Sequence, residues 1–186
     1  MTRLVIAFHS GYGHTRRLVD SAQQGALRLP GVEAMALDVS QIDDAGWMAL
    51  EQADAIIFAC PTYMAGPSAP FKQFADASSK VWIRQGWKDK LAGGMTCSLN
   101  MSGDKLTTLN WMVNFALQHG MVWVGTGLMP PGQPGDPDEI NRLGSSTGVM
   151  AQADNLPPEQ APPPGDLETA VQFGRRVATW AAHRVR

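Results

Sequence analysis

Three short segments of the chain concentrate residues able to hold a ligand. Ser10-Gly11-Tyr12-Gly13-His14-Thr15 sets two hydroxyls and two glycines just ahead of Leu18, Val19, Ala22 and Ala26, an apolar pattern at helical spacing. Glycine permits a tight turn and close backbone approach, and the first N–H groups of a helix are free donors for an anion. A small phosphomonoester suits such a loop. So does a hydroxyl-capped helix start with turn glycines and no ligand. The loop holds no lysine, and Arg16 stands where a third glycine would complete a G-x-G-x-x-G fingerprint. A nucleotide triphosphatase and a dinucleotide fold are therefore disfavoured.

The second segment, Pro61-Thr62-Tyr63-Met64-Ala65-Gly66-Pro67, offers an aromatic ring and a thioether to flank a flat ligand, with loop amides for its edge. A Tyr-Met pair in a loop is also ordinary local packing. The third, Ser98-Leu99-Asn100-Met101-Ser102-Gly103-Asp104, is polar enough to bind; alternatively Asp104 only caps the helix that follows. A phosphate nest beside two loops of amides and flat or soft side chains suits flavin mononucleotide (FMN). Its phosphate would lie at the first helix and its ring between the other two loops.

That arrangement requires the three loops to leave the same edge of one sheet. Leu4 to Phe8 is a continuous apolar run, which fits a parallel strand covered on both faces. Pro30-Gly31 ends the first helix, and a second strand is predicted over Glu33 to Val39. A short helix at Trp47 to Gln52 leads to a third strand at Ala53 to Cys60, cut by Pro61. A helix over Pro70 to Ser79, a strand over Leu91 to Leu99, a helix over Lys105 to His119 and a fifth strand at Met121 to Val124 follow. Residues 130 to 165 carry nine of the thirteen prolines and no periodicity, and are expected to form an irregular excursion. A last helix is predicted from about Asp166 to His183. Five strands alternating with helices give an α/β fold in one domain spanning 1–186. The flavodoxin-like three-layer sandwich, with a five-stranded parallel sheet in the order 2-1-3-4-5, fits best. In such sheets ligands bind beyond the carboxyl ends of the strands.

Composition narrows the function classes. Fifteen Lys and Arg against seventeen Asp and Glu give a net charge of -2, without the basic excess of a nucleic-acid binder. No apolar run is long enough to span a bilayer, and the chain opens directly on a strand pattern, so a cytoplasmic protein is expected. Cys60 and Cys97 make no C-x-x-C pair, and the four histidines have no metal-ligand spacing, so no metal is expected. No G-x-S-x-G elbow supports a serine hydrolase.

The loop SGYGHT at 10–15, the stretch ADAIIFACPTYMAGPSAPFKQFAD at 53–76, Val81-Trp82, and QHGMVWVGTG at 118–127 resemble the flavodoxin-fold NAD(P)H:quinone oxidoreductases. That group was once named tryptophan-repressor-binding proteins. The resemblance runs from Leu4 to about Gly148, with a looser match in the last helix. It implies FMN as cofactor and NADH or NADPH as co-substrate. Ser10, Tyr12, Gly13, His14 and Thr15 would take the phosphate, and Pro61, Thr62, Tyr63, Met64 and Ala65 the ring. Ser98, Asn100, Met101, Ser102, Gly103 and Asp104 would wrap the flavin, matching the family loop in position more than in kind. Trp82 corresponds to a tryptophan that lines the flavin pocket across a subunit interface in family tetramers. His119 corresponds to a histidine close to the active site, a candidate proton donor or relay. Its place at a helix end is equally explained by the helix dipole. The resemblance further implies a homodimer or homotetramer in which nicotinamide and then a quinone, or a similar acceptor, use one surface. Tyr63-Met64 departs from the more usual Arg-Phe pairing, and the third loop has lost most of its glycines. A non-enzymatic flavodoxin-type electron carrier and a general FMN reductase share much of this pattern.

Overall fold

The computed structural model describes residues 1–131 and 136–184. β1 (Thr2–Phe8), β3 (Ala55–Tyr63) and β5 (Leu91–Ser98) form the buried centre of a parallel sheet. Their lack of polar alternation has a direct cause, since alternate residues feed two separate cores. Leu4, Ile6, Phe8, Ala55, Ile57 and Ala59 face one layer of helices, α1 (His14–Leu27) and α6 (Pro164–Arg184). Val5, Ala7, Ile56, Phe58 and Cys60 face the other, which holds α2 (Asp44–Gln52), α3 (Ala69–Ala77), α4 (Ser79–Ile83) and α5 (Lys105–Gln118).

β2 (Val32–Asp38) pairs outside β1, and the sheet runs β2-β1-β3-β5-β6, with β6 at Val122–Trp123. This is the predicted 2-1-3-4-5 order, because the two-residue β4 (Gly66–Pro67) only folds back antiparallel on the end of β3. α1 and α6 cross at their glycines. A Cβ on Gly25 would lie 1.9 Å from the Val171 carbonyl oxygen, and one on Gly174 2.0 Å from that of Ala22. This close approach fixes where the start of α1 stands over the sheet.

Besides the added β4, the structure departs from the predicted elements in four places. Pro61 does not cut β3, which continues to Tyr63. The carbonyl of Ala59 accepts from the His9 N–H, so Pro61, two residues on, faces the same side beyond the last β1 pair, Phe8 with Ala59. Its missing N–H costs no ladder bond there. α2 begins three residues earlier than predicted, because the Asp43 carboxylate accepts from the Gly46 N–H at 2.9 Å. α4 is an additional helix of one turn.

The fourth departure is the largest. The fifth strand position is shared: β6 pairs only Leu91 and Ala92, while β7 (Val149–Gln152) pairs Met95 to Ser98. The excursion predicted as irregular thus supplies half a strand; its residues 132–135 lie outside the described part. No described helix is long and apolar enough to cross a membrane.

Candidate functional site

A cleft of about 1030 Å³ opens where β1, β3 and β5 end. Small-molecule and cofactor sites occupy roughly 300–1,000 Å³, so a flat cofactor has room. Ser10, Tyr12, His14, Thr15, Pro61, Thr62, Tyr63, Met64, Ala65, Ser98, Asn100, Gly103 and Asp104 all line it. The topology has brought the three loops together at the switch in strand order.

The first loop is shaped by its serine and glycine. The Ser10 hydroxyl accepts from the N–H groups of Gly13 and Arg16, each at 3.2 Å, and folds the backbone into a nest. Gly13 stands at the N-cap of α1 with φ +91°, a left-handed conformation that a side chain opposes. Gly13 therefore shapes the loop without lining the cleft. The first turn of α1 carries no acidic residue, so its positive end is uncompensated.

The second loop turns tightly at Met64 (φ +47°) and Ala65 (φ +64°), between the antiparallel pair Tyr63 and Gly66. This turn stands Met64 fully in solvent and leaves Tyr63 edge-on to Tyr12, ring centres 6.1 Å apart. Thr62 points the other way. Its hydroxyl is held by Thr96 and Thr108, both at 2.8 Å, so it joins β3 to β5 and α5 beneath the cleft and leaves ligand contact to the backbone.

In the third loop Asp104 occupies the N-cap of α5 but makes no side-chain cap bond, and its residue lines the cleft instead. Gly103 (φ +50°) lets the loop close: a Cβ there would lie 2.0 Å from the Ser98 Oγ. Met101 and Ser102 are exposed and do not line the cleft. Beneath the loop, Lys105 is completely buried, its Nζ donating to the Ser98 Oγ (3.0 Å) and the Asn100 carbonyl (2.6 Å). Desolvation pushes this ammonium down to about 8, so it keeps its charge near neutral pH. Sequence reading overlooked Lys105, because a lysine in the first turn of a helix reads as a surface residue.

It also overlooked the fourth side of the cleft, Ala153 to Pro158. This segment leaves β7 and reaches the start of α1, where the His14 Nε2 lies 2.8 Å from the Leu156 carbonyl and an Arg17 Nη1–H donates to the Pro158 carbonyl at 2.5 Å. It is anchored at its base by a buried ion pair. Arg142 Nε donates to the Asp166 Oδ1 at 2.8 Å, while Asp166 Oδ2 accepts from the Gln152 N–H at 2.8 Å. The one available signal was the run Asp154-Asn155-Leu156-Pro157-Pro158, whose turn-forming residues do not say where the turn lies.

Trp82 and His119 stand apart from the cleft. They share a second pocket of about 430 Å³ with Ser78, Trp111 and Phe115, on the α3–α5 side. The Ser78 hydroxyl donates to the Ala75 carbonyl at 2.6 Å, so its contact with the His119 Nε2 at 2.9 Å needs the ring proton on Nε2. Nδ1 is left buried without a partner. Burial drives His119 down to about 4, so the ring is neutral at pH 7. His119 is thus no free acid for the cleft of its own chain. The remaining cleft residue of note, Cys97, is an inert thiol that burial pushes up to about 12, as it does Cys60. His9 is tied to Ser68 through Nδ1 at 2.9 Å and serves the end of β1.

The donor set fits FMN. At the α1 end are backbone N–H groups and hydroxyls with no carboxylate in the loop, as a phosphate requires. At the other end are Tyr63, which Tyr12 of the first loop meets edge-on, Met64 and loop amides, as a flat ring requires. A doubly wound parallel sheet with this cleft defines the flavodoxin-like class. Comparison with known proteins agrees. The model of the NADPH-dependent FMN reductase family matches residues 47–133. The chain is similar to the flavodoxin FldP of Pseudomonas aeruginosa (40% identity, 96% of each chain). It is also similar to an NAD(P)H dehydrogenase (quinone) of Geobacter sulfurreducens (31% identity, 96% of this chain and 97% of the relative). The solved structure of a flavodoxin, WrbA-like protein from Agrobacterium tumefaciens superposes with a TM-score of 0.78 at 41% identity, covering 98% of this chain and 99% of that one. The chain belongs to the flavodoxin-like family of FMN-binding oxidoreductases, whose members similar to it include a flavodoxin, a WrbA-like protein and an NAD(P)H dehydrogenase (quinone).

Proposed function

We propose that the protein is an FMN-dependent oxidoreductase that takes a hydride from NADH or NADPH and delivers two electrons to a quinone or similar small acceptor. The observation that carries this reading is the convergence of three loops on one cleft, with phosphate donors at one end and aromatic and thioether side chains at the other. When bound, FMN supplies the redox chemistry by accepting and releasing an electron pair. The chain supplies position. Ser10, His14, Thr15 and the free N–H groups of α1 hold the phosphate, with Gly13 shaping the turn. Pro61, Thr62, Tyr63, Met64 and Ala65 flank the ring on one side, and Ser98, Asn100, Gly103 and Asp104 enclose the other. Amides of these loops would favour negative charge on a ring held there. No side-chain acid is needed for hydride transfer itself.

The second reading, a non-enzymatic electron carrier, is favoured by the name of the 40%-identical relative, a flavodoxin. Trp82 favours the enzyme. It is exposed beside a surface pocket away from its own cleft, open to the flavin of a neighbouring subunit in a homodimer or homotetramer. His119, by contrast, is buried and closes that pocket from within.

The test is to load purified protein with FMN, desalt it, and mix it without oxygen with NADH or NADPH. Bleaching of the flavin bands followed by reoxidation with a benzoquinone supports the enzyme. A retained flavin that neither nucleotide bleaches makes the protein a carrier, and loss of the flavin on desalting overturns both readings.

A further inference from the structure

Lys105 is the most anomalous charge in the molecule. It is wholly buried, yet among the described residues no carboxylate oxygen lies within ion-pair distance of its nitrogen. A buried ammonium without a counter-ion costs several kcal/mol, and such groups are normally paired. The acids that act on it through space, Asp166 and Asp154, are poor substitutes. Asp166 is already held by Arg142, whose own charge opposes Lys105, and Cys97 is a neutral thiol. Both acceptors that the ammonium does have, the Ser98 hydroxyl and the Asn100 carbonyl, belong to residues lining the cleft. The positive charge therefore sits directly behind the wall against which a flavin ring would lie.

We propose that Lys105 is a positioning residue for the reduced cofactor: its ammonium, acting through Ser98 and Asn100, favours the negative charge that two-electron reduction places on the ring. The proposal rests on the FMN reading above. Reduction adds two electrons and one proton to the ring, as a hydride, and leaves one net negative charge. Oxidised FMN carries no such charge on its ring. The lysine thus discriminates between redox states more than it contributes to cofactor binding as such. A purely structural lysine, tying loop 98–104 to α5, would affect both states alike.

Lys105→Gln separates the two roles, because glutamine can still donate hydrogen bonds to Ser98 and Asn100 but carries no charge. The affinity for oxidised FMN is read from flavin fluorescence quenching, and the midpoint potential of the bound flavin from anaerobic titration against a reference dye. The expected result is oxidised-FMN affinity within about threefold of wild type and reduced-FMN affinity lower by about tenfold. For a two-electron couple that is a fall of about 30 mV in midpoint potential. Lys105→Arg, which keeps the charge, is expected to stay near the wild-type potential. An unchanged potential in Lys105→Gln with FMN bound overturns the proposal, as does an equal fall in Lys105→Arg. Failure of the wild-type protein to bind FMN overturns the cofactor reading and this inference with it. If Lys105→Gln does not fold, the midpoint potential of the wild type is followed through the pH range in which the ammonium loses its proton. It is expected to fall more steeply with pH there than that of free FMN, because reduction then also draws a proton onto Lys105, and an equal slope refutes the idea.

Discussion

The two sides of the cleft are built by opposite means. The α1 side obeys local rules: a serine folds its own loop, a glycine takes the left-handed turn, and a helix start presents its N–H groups. The opposite side, loop 98–104 with segment 153–158, depends on buried charges, one of them paired across 24 residues of sequence. Lys105 holds the loop from below, and the Arg142–Asp166 pair ties the excursion to the head of α6. Local rules cost little when broken, because each bond is worth about 1 kcal/mol. Buried charges are costly to orphan. The difference predicts an asymmetric response to mutation, greatest on the side that sequence reading saw least well.

The sharpest test is Arg142→Met. It leaves Asp166 buried and unpaired, at a cost of roughly 3–5 kcal/mol, read from the urea midpoint. FMN affinity should fall as well, because Gln152 and the following segment lose their anchor. A loss below about 1 kcal/mol would break the comparison.

Next comes acid sensitivity at the second pocket. His119 is held at about 4, against 6.5 in an unfolded chain, so the unfolded state gains a proton that the folded state refuses. Stability is fully present above pH 6.5 and declines as pH falls towards 4, by up to roughly 3 kcal/mol. His119→Gln should flatten that decline in denaturation midpoints measured across the window. Equal slopes in both proteins would show that other groups cause it.

On the α1 side, Gly13→Ala places a side chain at φ +91° and 3.0 Å from Pro158. A loss of about 1–2 kcal/mol in stability is expected from the backbone alone. FMN binding should weaken by about tenfold in a fluorescence titration, because the turn and the 153–158 wall must both shift. Ser10→Ala should be the mildest change, about 1 kcal/mol with a few-fold loss of FMN affinity. An effect of Ser10→Ala as large as that of Arg142→Met would erase the distinction between the two sides.

Legibility followed the same division. The runs Leu4 to Phe8 and Ala55 to Ala59 announce buried parallel strands, because only a strand covered on both faces stays apolar at every position. The loop at 10–15 was readable because Ser10, Gly13 and the start of α1 act on one another within six residues. β7 was not readable. Val149-Met150-Ala151-Gln152 is too short to show a period, and it becomes a strand only because β6 leaves the end of β5 unpaired. Trp82 and His119 were readable as important, yet the structure alone separates their pocket from the cleft.

By itself, then, the sequence determined the layered α/β fold and which three loops meet at one edge of the sheet. These follow from periodicity and turn chemistry, which act over a few residues. The strand order follows only from the count of five strands among the common doubly wound orders. Tertiary structure alone decided that a proline-rich excursion completes the fifth strand and closes the cleft, and that a lysine in a helix's first turn is buried beneath it. Burial and charge pairing join residues tens of positions apart. Such couplings leave no periodic trace in the chain, and they exist only once it has folded.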